Sequence, residues 1–160
     1  MQKDSRGFSW VELLLIIVIV VLCLAIALPS ITKSRADLNT MEAMRDLHRV
    51  MSAETSYAGT YNTGYSPALS SLGPPPGGMP TASAAGFIDS DLSAGSKEGY
   101  TYVYSPGPRD SDGKVGSFTV TASPTKLGST GKSYYFMDQT GVIRMNGNST
   151  ASASDSAVGG

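Results

Sequence analysis

The sequence predicts an α+β chain. One long N-terminal helix, its first half apolar enough to span a membrane, packs on a small four-stranded antiparallel sheet. Three observations carry this. Residues Leu13–Leu28 form an unbroken apolar run closed by Pro29. No glycine or proline then interrupts the chain until Gly59. Beyond residue 98, short β-branched and aromatic segments alternate with Gly, Asp and Ser turns, which is how strands and hairpins read.

The apolar run comes first. As helix, Leu13–Leu28 rises about 24 Å, slightly less than a hydrocarbon core of about 30 Å. Phe8–Val11 in front and Ser30–Ile31 behind extend it enough to span, so residues 8–31 are predicted to be a transmembrane or filament-core segment. That extension takes in Glu12, the one charged residue between Arg6 and Lys33. A carboxylate so placed costs up to roughly 3 kcal/mol at a helix centre and less near an interface. Two readings follow for Glu12: it sits among headgroups, or it receives a positive charge from another chain. Pro29 lacks an amide hydrogen and is predicted to kink or locally melt the rod. Beyond it, Ile31, Leu38, Met41, Met44, Leu47, Val50 and Met51 recur at helical steps, so residues 32–58 read as amphipathic helix. Lys33, Arg35, Asp37, Glu42, Arg45, Asp46 and Arg49 are assigned to the remaining faces. His48, the only histidine, has no second ligand nearby and reads as a surface residue.

Residues 59–146 form a loop-rich region followed by the sheet. Leu72-Gly73-Pro74-Pro75-Pro76-Gly77-Gly78 excludes helix and central strand and reads as a rigid turn rather than a recognition motif. The four predicted strands are Gly99–Ser105, Ser117–Ser123, Ser133–Met137 and Val142–Met145. Phe118, Val120 and Ala122 share one face, and Asp138-Gln139-Thr140-Gly141 makes a hairpin connection. Residues 147–160, rich in Ser, Ala, Asn and Gly, are predicted to be a flexible tail. Asn148-Ser149-Thr150 matches a glycosylation acceptor, a triplet frequent by chance.

The chemistry-bearing residues exclude several functions. A net charge of −1 indicates no nucleic-acid surface. No catalytic set, phosphate-cradling loop or cofactor motif can be assembled around a single histidine, so no enzymatic activity, cofactor or metal is expected. Asp110-Ser111-Asp112-Gly113-Lys114 fails the calcium-loop pattern of helix–loop–helix proteins. It reads first as a turn, with a calcium role for Asp110, Asp112 or Asp138 as the alternative. Cys23 is the only cysteine and can form no intrachain disulfide.

The order of features at the N-terminus carries a resemblance. A short charged leader ends at Gly7. Phe8 and Glu12 follow four residues apart, then the apolar helix and Pro29 within it. Over about its first fifty residues the chain resembles the precursor of a type IV pilin or pilin-like protein. Ser9-Trp10-Val11 stands where that family more often shows Thr-Leu-Ile. The resemblance implies a pilin-like fold, with residues 1–7 removed between Gly7 and Phe8 by a prepilin peptidase and the new Phe8 amine N-methylated. It further implies that Glu12 pairs with the amine of a neighbouring copy and sets subunit register. The implied function is that of a structural subunit of a type IV pilus-like filament. The implied partners are copies of itself, the inner membrane, the peptidase/methyltransferase and the assembly machinery. The implied location is a single-pass inner-membrane protein before assembly and an extracellular or periplasmic filament after it. Many such pilins close their C-terminal loop with a disulfide, which this chain cannot do. A pseudopilin of a type II secretion system is the alternative within this class. In a different class, ordinary signal cleavage after Ala25-Ile26-Ala27 would release a soluble binding module.

Overall fold

The computed structural model describes residues 9–159, with the side chains of residues 25–32 outside the description. The chain begins with α1, Trp10–Tyr61, a helix of 52 residues. A 3₁₀ turn at Leu69–Leu72 and the one-turn helix α2, Ser90–Ser93, sit in the connecting region. Six strands follow: β1 Ser96–Lys97, β2 Tyr100–Pro106, β3 Phe118–Pro124, β4 Tyr134–Asp138, β5 Arg144–Asn146 and β6 Ser156–Ala157. They lie in one sheet in sequence order, each antiparallel to the next.

This corrects the expected architecture in two respects. The sheet has six strands rather than four, because two-residue strands at its edges add β1 and β6. Pairs such as Ser96–Lys97 and Ser156–Ala157 are too short and too polar to carry the alternation that marks a strand. The second correction concerns residues 8–31. Among the described residues, no helix is long and apolar enough to cross a membrane. The expected transmembrane first half and the single-pass inner-membrane location are set aside on that ground.

α1 continues past Gly59 and stops where Asn62 takes the left-handed conformation (φ 54°), its N–H returning to the Ala58 carbonyl at 3.1 Å. An asparagine tolerates that conformation and terminates helices for the same reason glycine does. The face that meets the sheet is Ala43, Leu47, Val50, Ala53 and Tyr57, joined in one core with Tyr100, Tyr102, Phe118, Val120, Ala122, Tyr135 and Met137. It differs from the predicted stripe. Leu38 and Met41 are 62% and 48% exposed, while the alanines Ala36, Ala43 and Ala53 are buried. Small side chains let the strands approach the helix axis closely, and the larger Leu38 and Met41 fall on the opposite face.

Two carboxylates lie on the buried face. Asp46 and Glu54 are fully buried and every buried polar side-chain atom finds a partner among the described residues. Asp46 accepts from Arg49 Nη1 at 2.6 Å, Lys97 Nζ at 3.1 Å and the Tyr102 hydroxyl at 3.1 Å. Glu54 accepts from the Ser66 amide at 2.8 Å and the Ser66 hydroxyl at 2.6 Å. Ser66 carries the link onward, because its carbonyl accepts from the Tyr104 hydroxyl at 2.8 Å. Above these, the Tyr100 hydroxyl lies 3.3 Å from Thr40 Oγ1 and donates to the Ser133 carbonyl at 2.9 Å. Alternate residues of β2 therefore present three tyrosines to α1, and each hydroxyl reaches a polar group on the helix or on the loop that follows it. Backbone positions 64 and 115 complete the loop's attachment. Gly64 has φ +77°, and a Cβ there would lie 2.2 Å from the Val115 carbonyl oxygen, a position only glycine can fill.

The tail closes the far edge. Asp155 accepts from Ser152 N–H at 2.7 Å and from Asn146 Nδ2 at 2.9 Å, while Arg144 donates to the Asp155 carbonyl at 2.9 Å. Ala151 is buried and Val158 N–H reaches the Ile143 carbonyl at 2.8 Å. The predicted flexible tail is thus clipped to the sheet by one carboxylate, a local hydrogen-bond device that composition alone does not reveal.

Burial pushes the Glu54 carboxyl above its ordinary value, against the opposing pull of its bonds to Ser66. A raised folded-state value means that Glu54 favours the fold at acid pH and that this contribution is lost as pH rises through the folded value. Glu54→Gln, which keeps the shape and removes the charge, is expected to gain stability relative to the parent at about pH 8 and to lose that advantage at about pH 4. Thermal melts of both chains across that range check it.

Candidate assembly surface

The apolar first part of α1 has nothing of its own chain against it. Every residue from Trp10 to Leu24 is exposed, the large apolar side chains running from 43% at Ile16 to 77% at Trp10. The exposure is on all sides of the helix. A helix apolar all round belongs in a buried environment, and exposed apolar patches beyond a few hundred Å² mark interaction sites.

The shaft begins at a local cap. Ser9 has extended backbone angles (φ −71°, ψ 139°), and its amide lies 3.4 Å from Glu12 Oε2. Ser9 and Glu12 have the spacing of a capping box, and an acid in the first turn faces the positive end of the helix dipole. At 3.4 Å that bond is long, and Glu12 makes no ion pair among the described residues. Glu12 is thus an exposed carboxylate at the head of an apolar rod.

At the other end the rod meets charge. Lys33 and Arg35 are exposed and enter no ion pair among the described residues. Further along, the charges are matched within the chain: Asp37 pairs with Lys132, Glu42 with Arg45, and Asp46 with Arg49 and Lys97. Loop residues tie down here as well. Asn39 Nδ2 donates to the Thr130 carbonyl at 2.9 Å and Lys132 N–H to Thr40 Oγ1 at 3.0 Å.

The remaining predicted site residues fall as follows. Gly7 and Phe8, the predicted cleavage and N-methylation positions, lie outside the described residues. Pro29 stands within α1, whose backbone is helical through it. His48 is exposed. Asp110 is occupied locally, its carboxylate accepting from the amides of Asp112 at 2.9 Å and Lys114 at 2.8 Å, and Asp138 likewise accepts from Thr140 N–H at 2.9 Å. Among the described residues no group of three or more His, Cys, Asp or Glu side chains converges to hold a metal ion. Sequence reasoning missed both carboxylates: it assigned Asp46 to the faces away from the apolar stripe and did not single out Glu54. Their signal was present: both keep step with Leu47, Val50, Ala53 and Tyr57 along the helix, opposite three tyrosines at every second position of β2.

The core begins at Ala43 and the shaft contributes nothing to it, so the two parts of α1 are expected to be separable. A chain shortened to residues 33–160 is predicted to keep a cooperative melt within a few degrees of the parent and to lose any tendency to associate. Sedimentation velocity and circular dichroism on that fragment read both outcomes. The chain matches no family model, no curated protein and no solved structure.

Proposed function

We propose that this chain is the structural subunit of a type IV pilus-like filament. It is trimmed between Gly7 and Phe8 by a prepilin peptidase, N-methylated at Phe8 and then polymerised with copies of itself by an assembly machinery. The observation that supports this reading most is the shaft Trp10–Leu24, apolar on every side and uncovered by its own fold. A second copy is the partner that satisfies such a surface most simply, since each copy brings the same apolar rod. At roughly 25 cal/mol per Å² of apolar area removed from water, packing the shaft on several sides is worth many kcal/mol. A closed dimer covers one side only; a helical polymer covers all.

Glu12 fits the same reading. Its carboxylate is exposed in the free chain and would lie between shafts in the polymer, where an uncompensated charge is costly and a cationic neighbour is required. The sheet and its clipped tail would then face outward, and the buried Asp46 and Glu54 keep the outer body fixed to the rod.

Two measurements test the reading. N-terminal sequencing of the processed chain should start at Phe8; a start at Leu28 would mean the shaft is discarded and the filament reading is wrong. In the second, Glu12→Ala is expected to be processed normally yet to lower the sheared-fibre fraction by about tenfold or more, the scale of one unpaired buried charge. Fibre yields equal to the parent would remove Glu12 from assembly.

A further inference from the structure

β5 ends in an Asn-Gly pair, Asn146-Gly147, from which the tail departs. The Asn146 carboxamide is held at three points. Its Oδ1 accepts from the amides of Asn148 at 3.0 Å and Ser149 at 3.2 Å, and its Nδ2 donates to Asp155 Oδ1 at 2.9 Å. The side chain is thereby folded over Gly147. The Gly147 N–H makes no hydrogen bond among the described residues. Gly147 is also exposed, with nothing within 4 Å of where a Cβ would stand.

These are the parts of an intramolecular acyl transfer. The Gly147 nitrogen is the nucleophile, free of a competing bond and unhindered because its own residue has no side chain. The Asn146 Cγ is the electrophile, close enough along the chain for attack to close a small ring. The amides of Asn148 and Ser149 already point at Oδ1, the oxygen on which negative charge develops, as oxyanion-stabilising donors do. Asp155 fixes the orientation of the carboxamide, so that Nδ2 is the nitrogen that leaves.

We propose that Asn146 is a self-modifying site and that its deamidation unclips the tail. The Gly147 nitrogen gives its proton to solvent base and bonds to Asn146 Cγ. The Cγ–Nδ2 bond breaks, and the departing nitrogen takes up a proton from water and leaves as ammonia. One water molecule then opens the cyclic imide, leaving aspartate or isoaspartate at position 146. Water is the only co-reactant, and a single chain suffices, so the proposal does not rest on the filament reading. The product carries a carboxylate where Asn146 Nδ2 had donated to Asp155, which replaces a hydrogen bond by like-charge repulsion. The isoaspartate form also lengthens the backbone at the residue that pairs with Tyr134. Asp155 is the group that holds Ser152, and its carbonyl accepts from Arg144. Displacing it releases the chain between β5 and β6, turning a clipped tail into a mobile one.

Ageing the full chain at mildly alkaline pH and mapping its peptides by mass tests the first half. The Asn146 peptide of the parent is expected to become about one dalton heavier. In Gly147→Ala the added methyl meets open space in the fold but crowds the attack, and the gain should slow by about tenfold or more. Because the folded turn presents the carboxamide to Gly147, native chain should gain this mass within about threefold of the denatured chain's rate, or faster. Hydrogen exchange tests the second half. The Ser152 and Val158 amides are both bonded in the clipped tail. In Asn146→Asp they are expected to exchange about tenfold faster than in the parent or more, while the amides of β3 keep their protection.

Mass gain at Asn146 together with selective loss of tail protection supports the proposal. A parent chain that gains no mass, gains it at Asn148 alone, or gains it tenfold or more slower than denatured chain overturns the self-modifying site. Modification at Asn146 with Ser152 and Val158 as protected as before overturns the release. Loss of β3 protection alongside the tail in Asn146→Asp overturns it too, since the whole sheet and not the clip would then be yielding.

Discussion

A helix that is apolar on every face has no comfortable state alone in water, and the design of this chain follows from that constraint. α1 solves half of the problem internally. From Ala43 onward its inner face is sealed by the sheet. From Trp10 to Leu24 it leaves the problem open. The same continuous helix is thus both the core element of a small α+β body and an uncovered rod, and the boundary between the two roles is marked by Lys33 and Arg35.

The way the sheet grips the helix explains how an exposed rod can coexist with a well-defined body. Three tyrosine hydroxyls from alternate positions of β2 reach across to Thr40, Asp46 and the Glu54–Ser66 pair. Such buried polar contacts are expensive to leave half-made, so they fix one angle and one depth for the helix across the strands. Burial, with Asp46 adding to it, pushes the Tyr102 hydroxyl far above the ordinary tyrosine range, so it remains a donor throughout the physiological range.

Local periodicity made part of this arrangement legible. Phe118, Val120 and Ala122 alternate in the sequence and are buried together, and the absence of Gly and Pro between Pro29 and Gly59 marks helix-forming chain. What could not be read is set by distance and by size. Leu38 and Met41 look like core residues by hydropathy, yet Ala36 and Ala43 occupy the buried side. Asp46 and Glu54 look solvated because their partners, Lys97, Tyr102 and Ser66, lie 51, 56 and 12 positions away. The tail looks unstructured by composition, and one carboxylate at position 155 orders it. The sheet edges were missed for a related reason: two-residue strands owe their existence to their neighbours. At the candidate surface, the acid Glu12 at the head of the apolar run was legible from sequence, whereas the exposure of Leu38 and Met41 required knowing which face of α1 the sheet covers.

The chain has one tryptophan, Trp10, at the tip of the shaft and mostly exposed in the isolated chain. Its fluorescence is the most direct test of the central claim that the shaft is buried by other copies. The account predicts that, as full-length chain is concentrated or assembled, Trp10 emission shifts to the blue and becomes protected from a water-soluble quencher. Emission that stays water-like and fully quenchable in fibres or at the highest attainable concentration would contradict it.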